Sequence, residues 1–89
     1  MIDSFKLNKY RIFTQNVRSI YNKIYSFSDF LLNMEISIAI ATESWLNQTI
    51  FNSEIHISGF NILRCDRVNK KGGGIVVYVN KNIRYSILD

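Results

Sequence analysis

Residues 10–41, YRIFTQNVRSIYNKIYSFSDFLLNMEISIAIA, decide the fold. Tyr10 to Asn16 alternates in character and is rich in β-formers, which predicts a strand ending at Asn16. Ile20, Ile24, Phe27, Leu31 and Met34 then recur at spacings of four, three, four and three. That period puts them on one face of a helix, with Asn22 as its N-cap. Ile36 to Ala41 is an almost unbroken apolar run of strand length, the pattern of a strand covered on both faces in a parallel sheet. Strand, helix and strand make a βαβ unit, whose crossover is expected to be right-handed.

Downstream the pattern loosens. Glu43 to Phe60 reads as a loop with a short helical turn at Ser44 to Asn47 and a short strand at Glu54 to Ile57. Asn61 to Arg67 and Ile75 to Asn80 read as two strands of a hairpin, joined through Asn69, Lys70, Lys71 and Gly72. Ile83 to Leu88 alternates again and is expected to add a third antiparallel strand after a turn at Asn80 to Asn82. No internal repeat is present.

Composition bounds the rest. With 89 residues, no Pro and no low-complexity linker, the chain makes one domain at most, and its single cysteine, Cys65, provides neither an internal disulfide nor a zinc site. A chain of this size buries only about 60–65% of its unfolded surface, so its core is thin. At 47% hydrophobic residues it is too apolar for intrinsic disorder. Met1 to Tyr10 lacks the apolar centre of a signal peptide, and no run approaches the roughly 18 apolar residues of a membrane span. The expectation is an intracellular, soluble product with no membrane partner. Charge is uneven: residues 1–34 carry five Lys/Arg against two acids, residues 35–63 none against three, and residues 64–89 six against two. The net charge of +4, with Arg64, Arg67, Lys70 and Lys71 close together, suits a polyanion as partner, and equally suits a merely solvated basic loop.

Asn16 and Glu43 stand out because each falls at the carboxyl end of a strand in the same βαβ unit, the edge at which open α/β sheets place their ligands. Adjacent strands lie about 4.8 Å apart, so the amide and the carboxylate can reach one ligand. A hard cation such as Mg²⁺ accepts one or two protein carboxylates and completes its shell with water and phosphate. The competing reading makes Glu43 an acid in the first turn of a short helix capped by Thr42.

Asn-Val-Arg-Ser-Ile at 16–20 with Asn22 and Lys23, Ala-Thr-Glu-Ser-Trp-Leu at 41–46, Gly-Phe-Asn-Ile-Leu-Arg-Cys-Asp-Arg at 59–67, and Gly-Gly-Gly-Ile-Val-Val-Tyr-Val at 72–79 occur in this order. Together they resemble the N-terminal part of the apurinic-like endonuclease domain of non-LTR retrotransposons, within the endonuclease/exonuclease/phosphatase superfamily. The resemblance spans residues 10–88. It implies a four-layered α/β sandwich like that of deoxyribonuclease I, and phosphodiester hydrolysis with Mg²⁺ or Mn²⁺ bound by Glu43. It also implies that Asn16 organises the metal site by hydrogen bonding, that the DNA phosphate backbone is the partner, that a reverse transcriptase domain lies downstream, and that the product is nuclear.

The family's later Asp, Asp-X-Asn and Ser-Asp-His elements match no position here. Ser28 and Asp29 are followed by Phe30 inside the predicted helix, and His56, the only histidine, is expected on a strand or loop without a catalytic role. Residues 1–89 are therefore expected to be one partial domain, truncated on its C-terminal side, inactive by itself and of low stability. Arg18, Arg64, Arg67 and Lys70 are candidates for DNA contact, with Arg64 and Arg67 alternatively pairing with Asp66. Trp45 reads as core or loop anchor, or as a base-stacking platform. Gly72 to Gly74 precede a strand rather than a helix, so they are expected to serve turn geometry, not a phosphate loop. Tyr10, Tyr78 and Tyr85 match no catalytic motif. The alternative function is a small basic module that binds nucleic acid without cutting it, or a remnant without function.

Overall fold

A computed structural model describes residues 2–7, 10–67 and 72–88. It contains five strands, β1 (Ile2–Leu7), β2 (Tyr10–Asn16), β3 (Ile38–Thr42), β4 (Phe60–Cys65) and β5 (Ile75–Asn80), and one α-helix, α1 (Ile24–Asn33). The strands form a single sheet in the order β1-β2-β3-β5-β4. β2 and β3 run parallel, with Asn16 opposite Thr42, and the other neighbours are antiparallel. The expected strand–helix–strand unit and the β4–β5 hairpin are both present, and β1 is an edge strand that the sequence reading does not contain.

Helix α1 covers one face of the sheet. Phe27 and Leu31, four residues apart, are buried with Ile20 against Phe13, Ala39, Ala41, Val76 and Tyr78. The Phe13 ring lies 4.5 Å from Phe30 and 6.0 Å from Phe27, centroid to centroid, and Phe27 lies 5.8 Å from Tyr78. Small alanines in β3 let the helix approach the sheet. Met34 departs from the expected stripe: it is the C-terminal cap of α1 and is exposed. Asn22 is not the N-cap, because a turn of 3₁₀ helix at Tyr21–Lys23 takes it in and Lys23 precedes α1 without a side-chain cap. The helix ends in a Schellman arrangement, in which Ile36 N–H donates to Leu31 O (3.0 Å) and Glu35 N–H to Leu32 O (3.3 Å), with Glu35 left-handed at φ +52°.

Three further expectations are corrected. Ser44 to Asn47 forms no helical turn, because the Ser44 and Trp45 N–H groups donate sideways to Gly74 O (3.2 Å) and Gly73 O (2.9 Å). Glu54 to Ile57 is no strand: Asn52–Ile55 is a 3₁₀ turn, closed by Glu54 Oε2 accepting the Phe51 N–H (2.8 Å). Ile83 to Leu88 adds no strand, since β5 is already flanked by β3 and β4 and offers no free edge. Of the hairpin turn expected at Asn69, Lys70, Lys71 and Gly72, the first three residues lie outside the described residues, and Gly72 has positive φ (+83°).

Only one face of the sheet is layered. Strand alternation sends Ile12, Ile38, Ile40, Leu63, Ile75 and Val77 to the side opposite α1, where register makes them neighbours across four strands. None of the six is buried, and Val79 on that side is shielded without joining the core cluster. The accessible surface of 6449 Å² exceeds the value of about 5,400 Å² expected for a compact 10.4 kDa chain. Sheet and helix together make two layers, a mixed α/β arrangement.

Candidate functional site

Three loops meet beyond the carboxyl ends of β2 and β3. The first continues β2: Val17 N–H donates to Thr42 O (2.9 Å), Ser19 N–H to Glu43 O (2.9 Å) and Ile20 N–H to Ser44 O (3.0 Å). The second, residues 43–46, is held on its other side by the third, Gly72–Gly74, through the two bonds from Ser44 and Trp45. Lys23 Nζ ties down the first loop by donating to Val17 O and to Arg18 O (2.9 Å). Backbone strain concentrates here. Among the described residues, four of the five non-glycine residues with positive φ are Arg18 (+47°), Ser19 (+82°), Glu43 (+56°) and Trp45 (+57°). Such strain persists only where surrounding bonds over-determine the backbone, and it clusters at functional sites.

Asn16 ends β2, exposed, and Glu43 follows its register partner Thr42, half-buried. The two candidates therefore both lie at the expected edge. Glu43 is not in the first turn of a helix, and Thr42 is not a cap: Thr42 closes β3 and its Oγ1 donates to Gln15 O (3.4 Å). Glu43 Oε1 accepts the indole N–H of Trp45 (3.2 Å), which the sequence reading does not anticipate. Trp45 is 45% exposed, so it is not core. The glycines serve geometry, as expected. All three have positive φ, a Cβ on Gly74 would come within 2.8 Å of Ser44 Oγ, and one on Gly73 within 2.7 Å of Arg67 Nε.

The basic candidates divide. Arg64 pairs with Asp66 through two bonds (Nε to Oδ1, 3.0 Å; Nη2 to Oδ2, 2.6 Å) and also donates to Ile50 O, Asn47 O and Asn52 Oδ1. Its donors clasp the 47–52 loop to β4. Arg67 instead lies across Gly73, exposed, and Arg18 is exposed on the first loop; neither side chain has an acceptor among the described residues. Lys70 lies outside the described residues. His56 is exposed just after the 3₁₀ turn, Tyr85 is exposed, and Tyr78 is buried with its hydroxyl donating to Ile55 O (2.8 Å).

Among the described residues no group of three or more His, Cys, Asp and Glu comes together that could hold a metal. The donors at this edge are one carboxylate and one amide. That set fits Mg²⁺ or Mn²⁺ held by a single protein carboxylate, with water and phosphate oxygens in the remaining positions, and it fits no tetrahedral zinc.

The structure is similar to that of an AP endonuclease from Archaeoglobus fulgidus, with a TM-score of 0.67 and 20% sequence identity. The match covers 79% of this chain and 27% of that enzyme, so this chain spans a minor part of its length. No protein-family model and no curated protein matches the sequence. The likeness establishes the fold: a mixed α/β arrangement of the AP endonuclease kind.

Proposed function

We propose that the chain is the N-terminal part of a Mg²⁺- or Mn²⁺-dependent DNA endonuclease, of the kind that non-LTR retrotransposons carry ahead of a reverse transcriptase domain, and that it works in the nucleus. The observation that carries this reading is the place of Asn16 and Glu43 at one carboxyl edge of a parallel strand pair, Glu43 following the register partner of Asn16, in a fold similar to that of an AP endonuclease. Glu43 would hold the cation, and Asn16, with no competing side-chain partner among the described residues, would orient its water and phosphate shell by hydrogen bonding. The bound cation would supply charge stabilisation at the phosphate. Arg18 and Arg67, whose guanidiniums have no acceptor among the described residues, would draw the phosphate backbone toward this edge. Among the described residues, no further carboxylate or histidine is collected at this edge to activate the attacking water. A second half of the domain would supply it and would cover the open sheet face, completing a four-layered sandwich.

Two measurements test the reading. Water-proton relaxation should detect weak Mn²⁺ binding that Glu43→Gln abolishes. The 89-residue chain should not nick supercoiled plasmid with Mg²⁺; nicking lost in Glu43→Ala would show that its catalytic set is complete and overturn the partial-domain reading. The exposed Arg18 and Arg67 favour one second reading, DNA binding without cleavage. Fluorescence anisotropy at low salt should then show binding that Arg67→Ala weakens, with the salt slope falling by about one. Absence of binding at low salt removes this second reading.

A further inference from the structure

We infer that Trp45 is a positioning residue for Glu43, and that its indole N–H fixes one carboxylate oxygen so that the other is presented to a divalent cation. The inference rests on the metal reading above. Nothing about core packing explains Trp45, since the ring is 45% exposed and its backbone is left-handed at φ +57°. What holds it is a bracket of short contacts. Its N–H donates to Gly73 O at 2.9 Å, its Nε1 donates to Glu43 Oε1 at 3.2 Å, and its indole lies over Gly72, where a Cβ would come 3.5 Å from Nε1.

Glu43 is pinned from the other side through its carbonyl, which accepts the Ser19 N–H at 2.9 Å. Between them Ser44 is fully buried, with its N–H bonded to Gly74 O. The backbone of residues 43–45 is thus fixed on both flanks, and the carboxylate torsions are the freedom that remains. The indole bond removes it, and among the described residues it is the one side-chain bond that Glu43 makes. Outer partners that hold a ligating side chain in place raise affinity because the side chain need not be ordered when the ion arrives. An N–H donor suits this task better than a cation, since it orients the carboxylate without neutralising it.

Trp45 is the single tryptophan, so its indole N–H proton gives one NMR signal that reports this bond. In the 89-residue chain, Mg²⁺ titration should move that signal progressively, and Glu43→Gln should shift it in the absence of metal and abolish the Mg²⁺ response. Trp45→Phe, which keeps an aromatic ring and loses the N–H, should weaken Mn²⁺ binding by about tenfold in water-proton relaxation, the usual order for a lost outer partner. Unchanged Mn²⁺ affinity in Trp45→Phe, with Glu43→Gln still abolishing binding, overturns the positioning role and leaves the metal reading intact. Mn²⁺ binding that ignores Glu43→Gln overturns the metal reading itself. Should Trp45→Phe fail to fold, the unmodified chain decides: an indole signal that stays still while Glu43-dependent Mn²⁺ binding is seen overturns the role.

Discussion

Gly74 and Glu35 are opposite cases of the same backbone region. At Gly74, φ +86° and the 2.8 Å approach of Ser44 Oγ to any added Cβ leave no room for a side chain. Gly74→Ala should cost about 3 kcal/mol in urea unfolding, combining backbone strain with overpacking. At Glu35 the C-terminal turn of α1 needs a left-handed residue at φ +52°, and a side chain sits there at a cost. Glu35→Gly should stabilise by roughly 0.5–1 kcal/mol, the left-handed cost less the extra unfolded-state entropy of glycine. Both are read from one denaturation series. At this scale the places of Asn16 and Glu43 at strand ends and the turn role of the glycines were legible in the sequence, since each follows from residue type and place along a strand. It did not reveal the Trp45–Glu43 bond, because two left-handed residues on either side of Ser44 bring those side chains together and nothing local in Glu-Ser-Trp announces a positive φ. Nor did it separate Arg64 from Arg67: which arginine meets Asp66 depends on where the 47–52 loop returns.

Among the elements, β5 is the best enclosed, flanked by β3 and β4 and covered through Tyr78 and Val76. Burial pushes the Tyr78 phenol well above its ordinary value of 10.0, against a smaller downward pull from the Arg64 guanidinium. The neutral phenol is thus favoured in the folded state, and its contribution is fully present below about pH 10, where the unfolded tyrosine is also neutral. Above that pH the unfolded phenol ionises while the folded one does not, so stability should fall as pH rises. Urea midpoints measured between pH 9 and 11 should decline in the parent chain and decline less in Tyr78→Phe. That variant should itself lose about 1–3 kcal/mol, since Ile55 O is left buried and unpaired. The βαβ unit and the β4–β5 hairpin were legible because their apolar periods are long and local. Two alternating segments are not strands: Glu54 to Ile57 is closed into a turn by its own glutamate, and Ile83 to Leu88 follows β5, both of whose edges are already taken.

For the whole molecule, the uncovered sheet face decides behaviour. Apolar surface of this kind marks an interface, and without its cover it invites self-association. Ile40→Thr, placed in the middle of that face, should reduce concentration-dependent association in sedimentation while costing less than about 1 kcal/mol, since threonine suits a strand. Equal association in both chains would mean that the face stays solvated. The strand order carries a further consequence, for synthesis. The neighbour of β3 in the parallel pair, β2, precedes it in the chain, but its second neighbour, β5, is reached only at residues 75–80. At about 5–20 residues per second the ribosome needs roughly two to eight seconds to add residues 43–80. Throughout that interval the nascent chain carries a bare, apolar strand edge, which makes β3 the segment on which a ribosome-bound chaperone has most reason to act.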